Sequence, residues 1–325
     1  MIRPSILPLI VAMTAAVSPI SQADDNIEHL LVTANRTARS AEQNLNAVTV
    51  ITRADIDRLQ LRSLPDLLRG LPGISVANSG GSGKLTNISL RGSESDHVLV
   101  LIDGVKIGSA TAGTAPLQDI PLAQVERIEI VRGPRSSLYG SDAIGGVIQI
   151  FTRQGSAQGL HSQSELWGGS FGTFGSSVNL TARNQQGWAS LGVTGEQSDG
   201  FNSCQANYSG GCWDNEPDKD GNNYISGQLR GGYNFSDSAG IEFNALRTNS
   251  DTEFDGSFGN ESESYNQLVS VAGHLNLTSN WLTSLQLANS KDHSETFNDG
   301  KFASLFETTR QQANWQNEWT IASHS

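Results

Sequence analysis

Three carboxylates are the most chemically pointed residues of the 325-residue chain: Glu216, Asp218 and Asp220 alternate ahead of Gly221 in the run DNEPDKDGNN. Carboxylates this close repel one another, and a hard divalent cation such as calcium would relieve that repulsion. The run has the pattern of the first half of an EF-hand loop, but its twelfth position is Gly227 rather than a bidentate Glu. A solvated acidic loop would carry the same residues. Nearby, Cys204 and Cys212 share one polar, Gly-rich stretch. In an oxidising compartment they can pair and close a small ring; two free thiols are the alternative, and no further metal-type ligands stand beside them. The string NSGGSGKL, Asn78 to Leu85, has the look of a phosphate-binding loop. It fails on both ends, because the positions that need Gly and a hydroxyl hold Asn78 and Leu85. No HExxH, GxSxG or paired Cys motif occurs, so the sequence shows no catalytic apparatus.

Such residues need elements to hold them. Met1 to Ala23 has Arg3, an apolar run from Ile6 to Val17 and a small-x-small end at Ser21-Gln22-Ala23, which reads as a secretory signal over residues 1–23. Next comes a polar segment, residues 24–40, broken only by Leu30-Leu31-Val32. That patch is either a frayed terminus or a strand-forming peptide that a partner adds to a sheet edge. Residues 41–153 mix short strands and helices. Val48 to Thr52 is β-branched, and Ser63 can cap a helix with Leu64, Leu67, Leu68 and Leu71 on one face. Two apolar strands, Ile128 to Val131 and Val147 to Phe151, flank a loop punctuated by Pro134 and glycines.

After Arg153 the pattern changes to period-2 alternation. Phe174, Ser176, Val178, Leu180 and Ala182 face one way, and the polar residues between them face the other. The pattern recurs to the end of the chain and gives roughly eight strands, as a transmembrane barrel with an apolar outside and polar lumen requires. Trp188, Tyr233, Phe235 and Trp281 fall near strand ends, where an interfacial girdle belongs. Tight turns at residues 184–187, 236–239 and 278–280 alternate with long acidic loops at residues 198–223 and 250–265. A net charge of −12 argues against a nucleic-acid partner, and a mean hydropathy of −0.31 is compatible with a barrel that hides its lipid face by alternation.

The runs LPDLLRGLPGI, ISLRG, HVLVLIDGV, RIEIVRGP and YGSDAIGGV, in this order, resemble the plug of TonB-dependent outer-membrane receptors, and EHLLVTANR is similar to the version in the cobalamin-receptor branch. The resemblance implies an α/β plug domain followed by an antiparallel transmembrane β-barrel over residues 154–325. It implies a transporter rather than an enzyme, located in the outer membrane of a Gram-negative bacterium and embedded in outer-membrane lipid. Glu28, His29, Leu30, Leu31, Val32, Thr33 and Ala34 would be the TonB box, captured by TonB. Leu85, Asn87, Glu94, Ala112 and Gly113 match positions where the branch touches its corrinoid, cobalamin. Asn202 and Asp255 would join Glu216, Asp218 and Asp220 as calcium ligands. Arg91 and Arg132 would pair with barrel glutamates. An iron-siderophore receptor of the same architecture is the alternative; a non-transporting remnant, or a soluble secreted binding protein made of the plug, is another. Because eight strands enclose only their own side chains while the family builds about twenty-two, the chain is expected to be part of a longer barrel.

Overall fold

In the computed structural model, residues 31–32, 39–40, 48–155, 157–204 and 217–320 are described. The proposed signal lies outside them. The first paired backbone is β1 (Leu31–Val32), antiparallel to β2 (Arg39–Ser40).

Thr52 shows how local sequence sets the plug. It ends β3 (Val48–Thr52) and caps α1 (Arg53–Leu59) through a reciprocal pair with Asp55. The Asp55 carboxyl is held below its ordinary range, chiefly by the Thr52 hydroxyl. Ser63 caps α2 (Leu64–Arg69) with its hydroxyl accepting from Asp66 N, and Leu64, Leu67 and Leu68 are buried. Then come the hairpin of β4 (Ile74–Asn78) and β5 (Thr86–Leu90), β6 (Val98–Ile102), β7 (Val105–Lys106) and β8 (Val125–Arg132). A short helix α3 (Ser136–Tyr139) precedes β9 (Gly146–Thr152). The main plug sheet runs β3-β8-β9-β6-β7, with only β6 and β9 parallel. The unbroken apolar run of β6 and the largely apolar β9, interrupted by Gln149, fit strands covered on both faces. Ile128, Ile130, Ile148 and Ile150 are fully buried, each worth about 1.5–3 kcal/mol.

Eight antiparallel strands follow in sequence order: β10 (Gly159–Gly168), β11 (Phe174–Arg183), β12 (Gly187–Ser198), β13 (Asn222–Ser236), β14 (Ala239–Glu253), β15 (Glu261–Thr278), β16 (Trp281–Asn298) and β17 (Lys301–Trp319). Among the described residues this sheet is open, with β10 and β17 at its edges. Alternation decides its two faces. On β13, Asn222, Ser226, Gln228 and Arg230 are buried against the plug, while Ile225, Leu229 and Tyr233 are exposed. In register, Leu180, Leu191, Leu229, Ala245 and Val269 form one outward apolar row, as a lipid-facing belt requires. Trp281 stacks on Trp319, and Tyr233 meets Phe235 edge-on, at the end of the tight turns.

Two expectations are corrected. Trp188 lies on the lumen-facing row, with the Arg230 guanidinium 5.3 Å from its ring, so it is not part of an outer girdle. The loop expected at residues 250–265 shrinks to residues 254–260, because Ser250, Thr252, Ser262 and Ser264 continue the β14–β15 ladder.

Candidate functional site

The plug meets the strand wall at the turn Asp103-Gly104, where both residues take positive φ (47° and 81°). Asp103 reaches into the wall and gathers four donors. Its carboxylate accepts from Arg230 Nη1 at 2.9 Å, Asn244 Nδ2 at 2.7 Å, Thr152 Oγ1 at 2.5 Å and Thr152 N at 3.1 Å. The side chains of Arg230 and Asp103 are 10% and 5% exposed, so this ion pair is shielded from solvent. Arg230 also donates to Glu242 at 3.3 Å. Around it, Gln124 exchanges hydrogen bonds with Ser226 and its carbonyl, and Ser290 donates to the Lys106 carbonyl. Arg132 donates to Thr49 at 2.8 Å, and among the described residues its Nε and Nη2 are buried without a partner. Burial, and next the charge of Arg91, lowers its pKa.

Above this contact, a cavity of about 560 Å³ opens between the plug apex and β14–β17. Leu85 and Ala112, two of the ligand contacts that the resemblance implies, line it. Asn87, half-buried on β5, and Glu94, exposed ahead of the turn Ser95–His97, do not line it. Neither does Gly113, which takes φ +68° and donates its N–H to the Ser109 carbonyl. The lining adds residues that sequence reasoning missed: Phe254 and Phe306, a set of Ser and Thr hydroxyls, and the carboxyls Asp119 and Asp292. Asp119 sits in a single 3-10 turn, Leu117–Asp119, and is 6% exposed. Burial, and next the Asp292 charge, pushes its carboxyl up to about 7 against hydrogen bonds from Ser250 and Asn266. A carboxylate wedged between Leu117 and Ile120 is the one sequence signal that could have marked it.

The loop carboxylates gather only in part. Asp220 is buried, and its Oδ2 accepts from Ser203 N at 2.7 Å and Ser203 Oγ at 2.6 Å. Asp255 lies 3.4 Å from the same hydroxyl, Asn202 Oδ1 accepts from Cys204 N at 3.0 Å, and Asp218 points into solvent. Glu216 lies outside the described residues. Among those described, no group of three or more His, Cys, Asp or Glu has metal-holding geometry. A cation is nevertheless present: Lys84, 3% exposed, has Asp220, Glu253 and Asp255 as its surrounding charges, with burial lowering its pKa and the carboxylates raising it. Among the described residues, the expected ligands therefore do not converge into a calcium site. Cys204 is disulfide-bonded; Cys212, the other cysteine of the chain, lies outside the described residues. Of residues 28–34, only Leu31 and Val32 are described.

Residues 40–147 match the family described as TonB-dependent Receptor Plug Domain. The chain is 36% identical over 96% of its length to "Vitamin B12 transporter BtuB" of Vibrio vulnificus, covering 51% of that protein. It is 32% identical over 98% of its length to the protein of the same name in Photobacterium profundum, covering 52% of it. The chain belongs to the TonB-dependent receptors. As such its place is the outer membrane of a Gram-negative bacterium. It spans about half the length of these relatives. Among solved structures it is similar to the siderophore receptor PirA of Acinetobacter baumannii, with a TM-score of 0.65 and 19% identity over 84% of this chain and 45% of that one. The ferric yersiniabactin uptake receptor FyuA of Yersinia pestis gives a TM-score of 0.65 and 19% identity, covering 88% and 47%. At that identity the likeness shows the fold: a plug against an antiparallel barrel wall.

Proposed function

We propose that this TonB-dependent receptor binds a corrinoid, cobalamin or a close relative, at the plug apex and imports it, with no catalytic step. The observation that carries the reading is the 36% identity to a protein named as a vitamin B12 transporter, running through plug and strands alike. The cavity chemistry supports it. A corrinoid presents a rim of neutral carboxamides, which hydroxyls and carboxyls can hydrogen-bond. Among the described residues, the lining holds the carboxyls of Asp119, Asp255 and Asp292, with the carbonyl-bound Lys84 and His293 as its basic groups. An anionic ferric siderophore would meet repulsion there, so the siderophore reading is the weaker one.

Leu85 and Ala112 would touch the ligand, and Asn87, Glu94 and Gly113 would border the entrance. The division into a plug of residues 41–153 and a barrel segment of residues 154–325 is supported by β9 ending at Thr152 and β10 beginning at Gly159. Residues 1–23 act as the export signal in this proposal. Residues 28–34 act as the TonB box: Leu31–Val32 is already extended and paired, which suits capture by strand addition. The outer-loop carboxylates hold a cation, calcium in the sequence-based expectation. The test is competition binding to the full-length protein in detergent. Cyanocobalamin should displace a labelled corrinoid while ferric enterobactin does not; displacement by the ferric complex alone would overturn the ligand assignment.

A further inference from the structure

The Gly-rich loop that fails as a phosphate cradle has a different use. Gly83 takes φ +73°, and a Cβ there would overlap the Asn222 side chain; Gly80 and Gly81 bring the same loop against Ser203 and Phe201. Glycine thus lets the plug apex lie directly on the loop between β12 and β13. Lys84 follows at the point of closest approach. Its Nζ donates at 3.0 Å to the Asp220 carbonyl and at 3.0 Å to the Gly221 carbonyl. Those are hard oxygens of the kind calcium takes. They belong to the very segment from which the expected metal would draw its ligands.

Two outer segments surround this ammonium. Asp220–Gly221 leads into β13, Glu253 ends β14, and Asp255 follows it. They are also joined to one another: Gly221 N donates to Glu253 Oε2 at 3.1 Å, Glu253 N to the Gly221 carbonyl at 2.9 Å, and Ser203 N to Asp220 Oδ2 at 2.7 Å. Of the carboxylates that called for a divalent ion in the sequence, Asp220 and Asp255, together with Glu253, therefore share the field of a charge built into the plug. A lysine ammonium is a compact point charge with three donors, suited to carbonyl oxygens. A divalent ion at the same oxygens would have to sit against it.

We infer that Lys84 is the resident cation of the outer-loop carboxylates, taking the place of a metal and tying the plug apex to the segments flanking β13 and β14. The inference does not depend on which ligand is carried. The test is hydrogen exchange of the Ser203, Asp220, Gly221 and Glu253 amides in the full-length protein, with calcium and with chelator, for the unmutated chain and for Lys84→Gln. Exchange in the unmutated protein should agree within about twofold between the two conditions, and Lys84→Gln in chelator should exchange at least about tenfold faster, a little over 1 kcal/mol. Protection that appears only with calcium would overturn the inference, as would a Lys84→Gln protein indistinguishable from the unmutated one in chelator. Should the variant fail to fold, calcium titration of the unmutated protein decides alone: no binding heat up to millimolar calcium supports Lys84, and saturable uptake that reduces loop exchange refutes it.

Discussion

Asp103→Ala should loosen the plug within the barrel wall. The substitution removes one acceptor from four donors, among them a guanidinium only 10% exposed, and leaves Arg230 with Glu242 at 3.3 Å as its remaining carboxylate and the Thr152 carbonyl at 3.0 Å. Breaking a buried pair by removing one partner costs about 3–5 kcal/mol, because the remaining charge is left uncompensated. Glu242 is 41% exposed and offsets part of this, so the lower end, about 3 kcal/mol, is the expected loss. That corresponds to roughly a hundredfold change in an opening equilibrium. Hydrogen exchange of the β6 and β9 amides in the full-length protein reads it, since these strands lie at the centre of the plug sheet. The double variant Asp103→Ala, Arg230→Met should recover much of the loss, because no buried charge is then stranded. An effect below about threefold in the single variant, or an undiminished one in the Arg230→Met background, would refute the latch.

Leu31→Pro should abolish energised uptake while leaving corrinoid affinity within about twofold, since Pro removes the N–H that strand addition at β1 needs; uptake at the unmutated rate would disconnect residues 28–34 from coupling. Asp119→Asn should flatten the pH dependence of stability. With its carboxyl pushed up from 3.8 to about 7 the folded protein holds a proton that the unfolded chain has released, so stability falls as pH rises from about 4 to about 7 and levels off above. The ceiling of that loss is about 4 kcal/mol, and denaturation midpoints at pH 5 and pH 7.5 compare the two proteins; an unchanged slope in the variant would remove Asp119 from the account. A polypeptide of residues 24–325 expressed alone should give no heat-modifiable, corrinoid-binding monomer in outer membranes. Its edge strands β10 and β17 would expose unpaired N–H and C=O groups to lipid, each costing several kcal/mol.

Local signals carried much of the architecture. The cap at Ser63 stands where the residue type puts it, because it satisfies a backbone group within a few positions. Period-2 alternation gave the eight strands. Composition misled at the outer ends of β14 and β15, where Ser250, Thr252, Ser262 and Ser264 resemble a loop yet face a polar lumen. Parity would have placed Trp188 correctly: it stands three residues from the outward Leu191 and so on the opposite face. The long-range partnerships were out of reach. Asp103 meets Arg230 across 127 residues and Lys84 meets Asp220 across 136, and neither pairing leaves a mark in local spacing.

Corrinoid import is the claim on which the rest converges, and uptake measures it most directly. Cells lacking their own cobalamin uptake receptor, supplied with the full-length protein, should accumulate labelled cyanocobalamin. The accumulation should cease when TonB is removed or the inner-membrane proton gradient is collapsed, while binding to the cell surface persists. Accumulation that survives loss of TonB, or surface binding no greater than in cells without the protein, would contradict it.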